Sequence, residues 1–218
     1  MQQGNFIYML VGLLLLVLIG PGISQLFPES SGIITNFAFV SVMVVGVWSL
    51  NINKKWFIVA SIMMVIGLAT SVINYFIDSK IIYLLGLFIT LLFCILSILI
   101  AMGYILFSGS ITANKLIGSI CIYMLLGIVW ALLYVFLDVI HPGTFKGVSH
   151  DFYTRDKWEY IYYSFVTLTT LGYGDISPVN QYARALAYIE AMCGQLYIAV
   201  LVASLVGAHI ADRQHDKK

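Results

Sequence analysis

Residues 169 to 175 read TTLGYGD. Gly172 and Gly174 permit backbone angles that a residue with a Cβ resists, so consecutive carbonyls can be turned to one side. A ring of such carbonyls can replace the water shell of a monovalent cation. That is chemistry of the backbone, and it needs a support that holds irregular chain in place. Irregular backbone at membrane depth is tolerated only where protein buries it or where it lines a wet path.

The support is apolar. Of 218 residues, 61% are hydrophobic and 10% are charged, the composition of an integral membrane protein. A net charge of +1 with scattered basic residues leaves no basic footprint for nucleic acid. Cys94, Cys121 and Cys193 all lie in apolar stretches, where they are expected to pack as small hydrophobes and to form no disulfide framework.

Six apolar segments, near 5–26, 33–50, 56–76, 81–107, 112–140 and 180–209, each approach the roughly 20 residues that span a bilayer as helix. No Lys or Arg precedes the first, so it is expected to be a span rather than a cleaved leader. The short joints NINKK, IDSK and SGSI predict antiparallel neighbours. About five residues between the fourth and fifth segments reach roughly 17 Å, too little to cross the helices of another copy of the chain, so the first four helices are expected beside residues 109–218 of their own chain. The boundary is expected at residues 1–108, a four-helix bundle, and 109–218.

With the N-terminus inside, the inner side collects Lys54, Lys55, Lys115, Arg213, Lys217 and Lys218 against Asp212 and Asp216, while acids outnumber bases outside. The positive-inside rule then puts both termini in the cytoplasm. Tyr8, Trp48, Trp56, Tyr75 and Tyr83 lie near segment ends and suit the headgroup region. Residues 158 to 169, aromatic and β-branched, are too few to span and suit a re-entrant half-helix leading into the glycine motif.

TTLGYGD resembles the selectivity filter of the potassium channel family, with Leu171 where the usual signature has Val. The resemblance extends from Trp158 to Gly207. It implies an all-α membrane protein with six transmembrane helices, a re-entrant pore half-helix and a filter loop, assembled as a C4 homotetramer in the cell membrane. It also implies K⁺ sites made by the carbonyls of Thr170, Leu171, Gly172 and Tyr173, with the Thr170 hydroxyl closing the innermost and Gly174 completing the outer mouth. Tyr162 and Tyr163 fall where family members brace the filter tyrosine, Arg184 where many carry an arginine, and Gly194 at a hinge glycine. Val166 stands where some bacterial members have a glutamate paired with the acid matching Asp175, which puts filter gating through such a pair in doubt.

Three readings come from the residues themselves. Glu190 is the acid inside the last span, expected to support the filter with Arg184 or the hydroxyls of Thr167 and Thr169 as partners. Ile198, Val202, Val206 and Ile210 recur every four residues, so they suit either a pore-lining stripe or helix packing. Gly194 also suits close packing.

The fourth segment, 81–107, contains no Arg or Lys, so no voltage sensor is expected there. Few residues follow the last segment, beginning near Ala211, so no cytoplasmic sensor domain is expected there. One filter copy per chain cannot encircle an ion, and this requires four chains. The expected partners are other copies of the chain, lipid and K⁺, the permeant ion, with no cofactor. An intramembrane hydrolase is disfavoured because no nucleophile and base stand together at helical spacing in the spans. A secondary potassium transporter or a non-conducting regulatory subunit is the remaining alternative.

Overall fold

The computed structural model describes residues 6–27, 31–49, 54–77, 79–107, 112–148 and 157–215. In hydrocarbon every backbone N–H and C=O must find a partner within the segment, so the apolar stretches fold as helices. They are α1 (Phe6–Leu26), α2 (Ser31–Ser49), α3 (Lys54–Ile77), α4 (Lys80–Phe107), α5 (Ala113–Ile140), α6 (Lys157–Leu168) and α7 (Gln181–His215). Among the described residues five helices are long and apolar enough to cross a membrane; the apolar stretch of α2, Thr35–Ser49, is shorter. The half-helix expected at 158–169 is α6. The last helix runs past the expected 209, reaching His215.

The fold departs from all-α at one point. β1 (Phe145–Lys146) pairs antiparallel with β2 (Ser177–Pro178), Phe145 opposite Pro178. This ladder ties the segment before α6 to the exit of the glycine motif. Gly147, at φ +90°, makes the approach possible, because a Cβ there would lie 2.2 Å from the Asp175 carbonyl oxygen.

Helix α5 is the axis of the chain, packed by α1, α4, α6 and α7. Ile122, Leu125, Ile128, Leu132 and Val135 are its buried stripe. Within the chain the first four helices meet α5 through α1 and α4. Helix α1 runs parallel to α5. At its start the Phe6 amide donates to Asn114 Oδ1 at 3.1 Å, with the Phe6 ring over Gly118, whose added Cβ would lie 3.1 Å from it.

The far end of α1 meets the head of α6. A Cβ on Gly20 would lie 2.1 Å from the Trp158 ring, so the helix can pass Trp158 only as glycine. From α2, Phe39 stacks on Trp158 with centroids 6.4 Å apart. Lys157, at the start of α6, is buried. Its Nζ donates to Asn36 Oδ1 at 2.6 Å and stands over the Tyr83 ring of α4. An amide oxygen and two aromatic faces compensate the ammonium for water.

Candidate functional site

Helix α6 carries the motif inward. Its last residue, Leu168, is fully buried, and the chain then turns back through Thr169 and Thr170 into the extended stretch at Leu171. The Val166 carbonyl accepts from the Leu171 amide at 2.9 Å and from the Gly172 amide at 3.3 Å. The Thr170 amide donates to the Thr167 carbonyl at 2.9 Å. These bonds pin the return strand against the helix that delivered it.

The backbone alternates. Thr170 has φ 59°, Gly172 φ 60° and Gly174 φ 81°, so every second residue lies in the left-handed region. Such alternation lets successive peptide planes be turned in a way that a run of ordinary residues resists. The two glycines were legible in the sequence. Thr170 was not: a β-branched residue at positive φ is an outlier, costing about 1–3 kcal/mol that the surroundings must hold. Its hydroxyl donates to the Thr169 carbonyl at 2.7 Å and accepts from Gln195 Nε2 of α7 at 3.4 Å.

Residues 169 to 175 are exposed in the single chain, with Leu171 at 56% and Tyr173 at 67%. Asp175 closes the motif. Its Oδ2 accepts from the Tyr162 hydroxyl at 2.6 Å and its Oδ1 from the Ile176 amide at 2.9 Å. The Tyr162 hydroxyl, with backbone amides helping, holds the Asp175 carboxyl below the usual carboxylate range against a smaller desolvation effect. Tyr162 therefore engages Asp175 where a glutamate at the Val166 position would have done so. A lowered acid keeps its stabilising charge above its ordinary value and loses it as pH falls, so Tyr162→Phe is expected to move that loss to higher pH. Carboxyl NMR titration of Asp175 checks it; an unchanged midpoint counts against the role of the hydroxyl.

Tyr163 does not reach Tyr173 within the chain. It is buried against Tyr134 and Phe145, at 5.0 and 5.3 Å between centroids. Adjacent positions on a helix face different ways, so Tyr162 and Tyr163 cannot both look toward the motif. Arg184, half out in solvent, places Nε on the Pro178 carbonyl at 3.3 Å. Helix α7 starts from Asn180, whose Oδ1 accepts from the Ala183 amide at 2.8 Å, a side-chain cap of the usual kind.

Glu190 corrects the expected partners. It is fully buried, and its carboxyl meets the hydroxyls of Tyr134 on α5 and Ser164 on α6, not Arg184, Thr167 or Thr169. Arg184 stands six residues earlier, more than one helical turn toward the outer end. Tyr134 and Ser164 were missed because they lie 56 and 26 residues away in sequence.

One turn further, Gly194 abuts the end of α6. A Cβ there would lie 2.3 Å from the Leu168 carbonyl oxygen, so close packing accounts for the glycine. Ile198, Val202 and Val206 are exposed in the chain. The Ile210 side chain lies outside the described residues.

Residues 134–209 match the family model described as Ion channel, a stretch from Tyr134 on α5 through α6, the motif and most of α7. A curated protein of Plasmodium falciparum (isolate 3D7), Potassium channel K2, is 28% identical over 53 residues, covering 24% of this chain and 4% of that protein. The chain thus spans a small part of that relative's length. No solved structure matches. The two matches support the potassium channel family.

Proposed function

We propose, from the premise that this chain is a member of the potassium channel family, that it is one subunit of a K⁺-selective homotetrameric channel. Six helices span the membrane with both termini in the cytoplasm, and K⁺ passes down its gradient. The observation that carries the reading is the alternating backbone at Thr170, Gly172 and Gly174. It supports a column of carbonyls from Thr170, Leu171, Gly172 and Tyr173 facing one side. The C-terminal end of α6 adds partial negative charge beside that column. The same strip, exposed in one chain, asks for other copies to close the ring.

Recording from the purified protein in a K⁺ gradient tests this. Unitary steps carried by K⁺ support a channel. Transport without unitary steps favours a secondary transporter, and silence in the presence of correctly assembled protein favours a regulatory subunit.

Opening is expected to be at most weakly voltage dependent. One charge crossing the field yields roughly 2.3 kcal/mol per 100 mV, and steep gating needs about three or four per subunit. In residues 1–108 the basic side chains are Lys54, Lys55 and Lys80, all exposed and at helix starts. Lys157, which enters the bundle from the pore half, is one charge held at the head of α6. Open probability against voltage in symmetric K⁺ checks this, and a steep sigmoid overturns it.

A further inference from the structure

Three oxygen contacts converge where α5, α6 and α7 meet. Glu190 Oε2 meets the Tyr134 hydroxyl, Glu190 Oε1 meets Ser164 Oγ, and Ser164 Oγ also lies 2.7 Å from the Gly127 carbonyl oxygen. Two oxygens at hydrogen-bond distance need a hydrogen between them. A tyrosine brings one, a serine brings one, and a carbonyl brings none. That leaves one contact short, and the only remaining source is the carboxyl.

One assignment gives each of the three contacts a hydrogen. The Gly127 carbonyl accepts from Ser164, so Ser164 Oγ must accept in turn from Glu190 Oε1, while the Tyr134 hydroxyl donates to Oε2. We infer that Glu190 is a neutral carboxylic acid at neutral pH and that its proton is the hydrogen bond fastening the inner helix α7 to the pore helix α6. Glu190 is thereby a positioning residue for the filter, a role that rests on the pore reading above.

The surroundings agree. The titratable groups facing Glu190 are Tyr123 and Tyr134 from α5 and Tyr163 from α6, neutral phenols at pH 7. Arg184 is engaged with Pro178. A carboxylate buried among phenols, with no cation beside it among the described residues, is costly to keep charged, whereas the neutral acid satisfies every oxygen. The fastening also has a second rung. Ser164 and Leu168 are four apart on α6, as are Glu190 and Gly194 on α7, so the Glu190 to Ser164 contact and the Gly194 to Leu168 contact stack on successive turns. The proton therefore holds the rung directly above the one that seats the start of the filter. Raising the pH removes it and leaves Ser164 with one hydrogen for two acceptors.

Infrared spectra of the full chain in lipid, wild type minus Glu190→Gln, read the proton directly. The carbonyl stretch of a neutral carboxylic acid is expected at neutral pH and is expected to disappear on alkalinisation. Its absence at neutral pH overturns the inference. K⁺ flux supplies the second readout. Glutamine keeps an acceptor for Tyr134 and a donor for Ser164, so Glu190→Gln is expected to exceed Glu190→Ala by about tenfold or more, about 1.4 kcal/mol, and to lose the alkaline decline of the wild type. Equal flux in the two variants, or a Gln variant that retains the alkaline decline, overturns the positioning role. A wild type that carries no K⁺ sinks the pore reading, while the infrared band still decides the protonation state.

Discussion

With K⁺ on one side of the membrane and Na⁺ on the other, the reversal potential is expected to follow K⁺, and Rb⁺ is expected to substitute for it where Li⁺ does not. Each tenfold of preference moves that potential by about 59 mV, so even modest selectivity is easy to read. The expectation rests on rigidity. Val166 anchors the amides of Leu171 and Gly172, and Tyr162 anchors Asp175 at the opposite end, so the intervening carbonyls are tethered from both sides. Replacing Tyr173 by Asp adds an acid to each copy of the mouth and removes its aromatic bulk. It is expected to pull the reversal toward zero while leaving a conducting assembly. A reversal potential that follows Na⁺ in the wild type defeats the reading, and undiminished selectivity in the variant defeats the role of Tyr173.

Gly194→Val is expected to abolish K⁺ flux and to destabilise the protein by about 3 kcal/mol or more, the upper range for overpacking. The added Cβ would lie 2.3 Å from the Leu168 carbonyl oxygen and 3.0 Å from its Cδ1. That oxygen is backbone at the end of a buried helix, so no rotamer change relieves the clash. Either α7 withdraws or the last turn of α6 shifts, and Thr169 and Thr170 shift with it. Gly194→Ala is expected to show the same effect in smaller measure. Gly103, whose Cβ would meet nothing within 4 Å, is the control, and Gly103→Ala is expected to be neutral or slightly stabilising. Thermal unfolding and flux together check this. A hinge role alone leaves the unfolding temperature in place and changes only gating, so an unshifted temperature in Gly194→Val rules out the packing account.

The helices were legible because hydropathy over about 20 residues is a one-dimensional signal, and apart from the end of α7 their bounds fall within a few residues of the apolar runs. The turn at 169–175 was legible because Gly172 and Gly174 take the positive φ that glycine allows. Other features depend on what the fold brings together. Thr170 sits at positive φ because bonds on both sides force it there, against its own preference. The partners of Glu190 come from two other helices. Lys157 reads as a solvated loop charge until Asn36, Phe39 and Tyr83, far away in sequence, close around it. The β1–β2 ladder is two residues per strand, too short for any alternation to register.

The junction at the head of the pore helix bears on modularity. Trp158 occupies the gap left by Gly20, and Lys157 is lodged among α2 and α4. A break in the chain near residue 108 is therefore not a break in the packing. A fragment beginning there would bare an indole and an ammonium that now have protein around them, and a graft of another family's first four helices would need its own glycine opposite Trp158 and its own acceptor for Lys157. The two halves are contiguous in a way that makes them poor candidates for independent exchange, so recombination among related chains would be expected to carry the first four helices and the pore helix together.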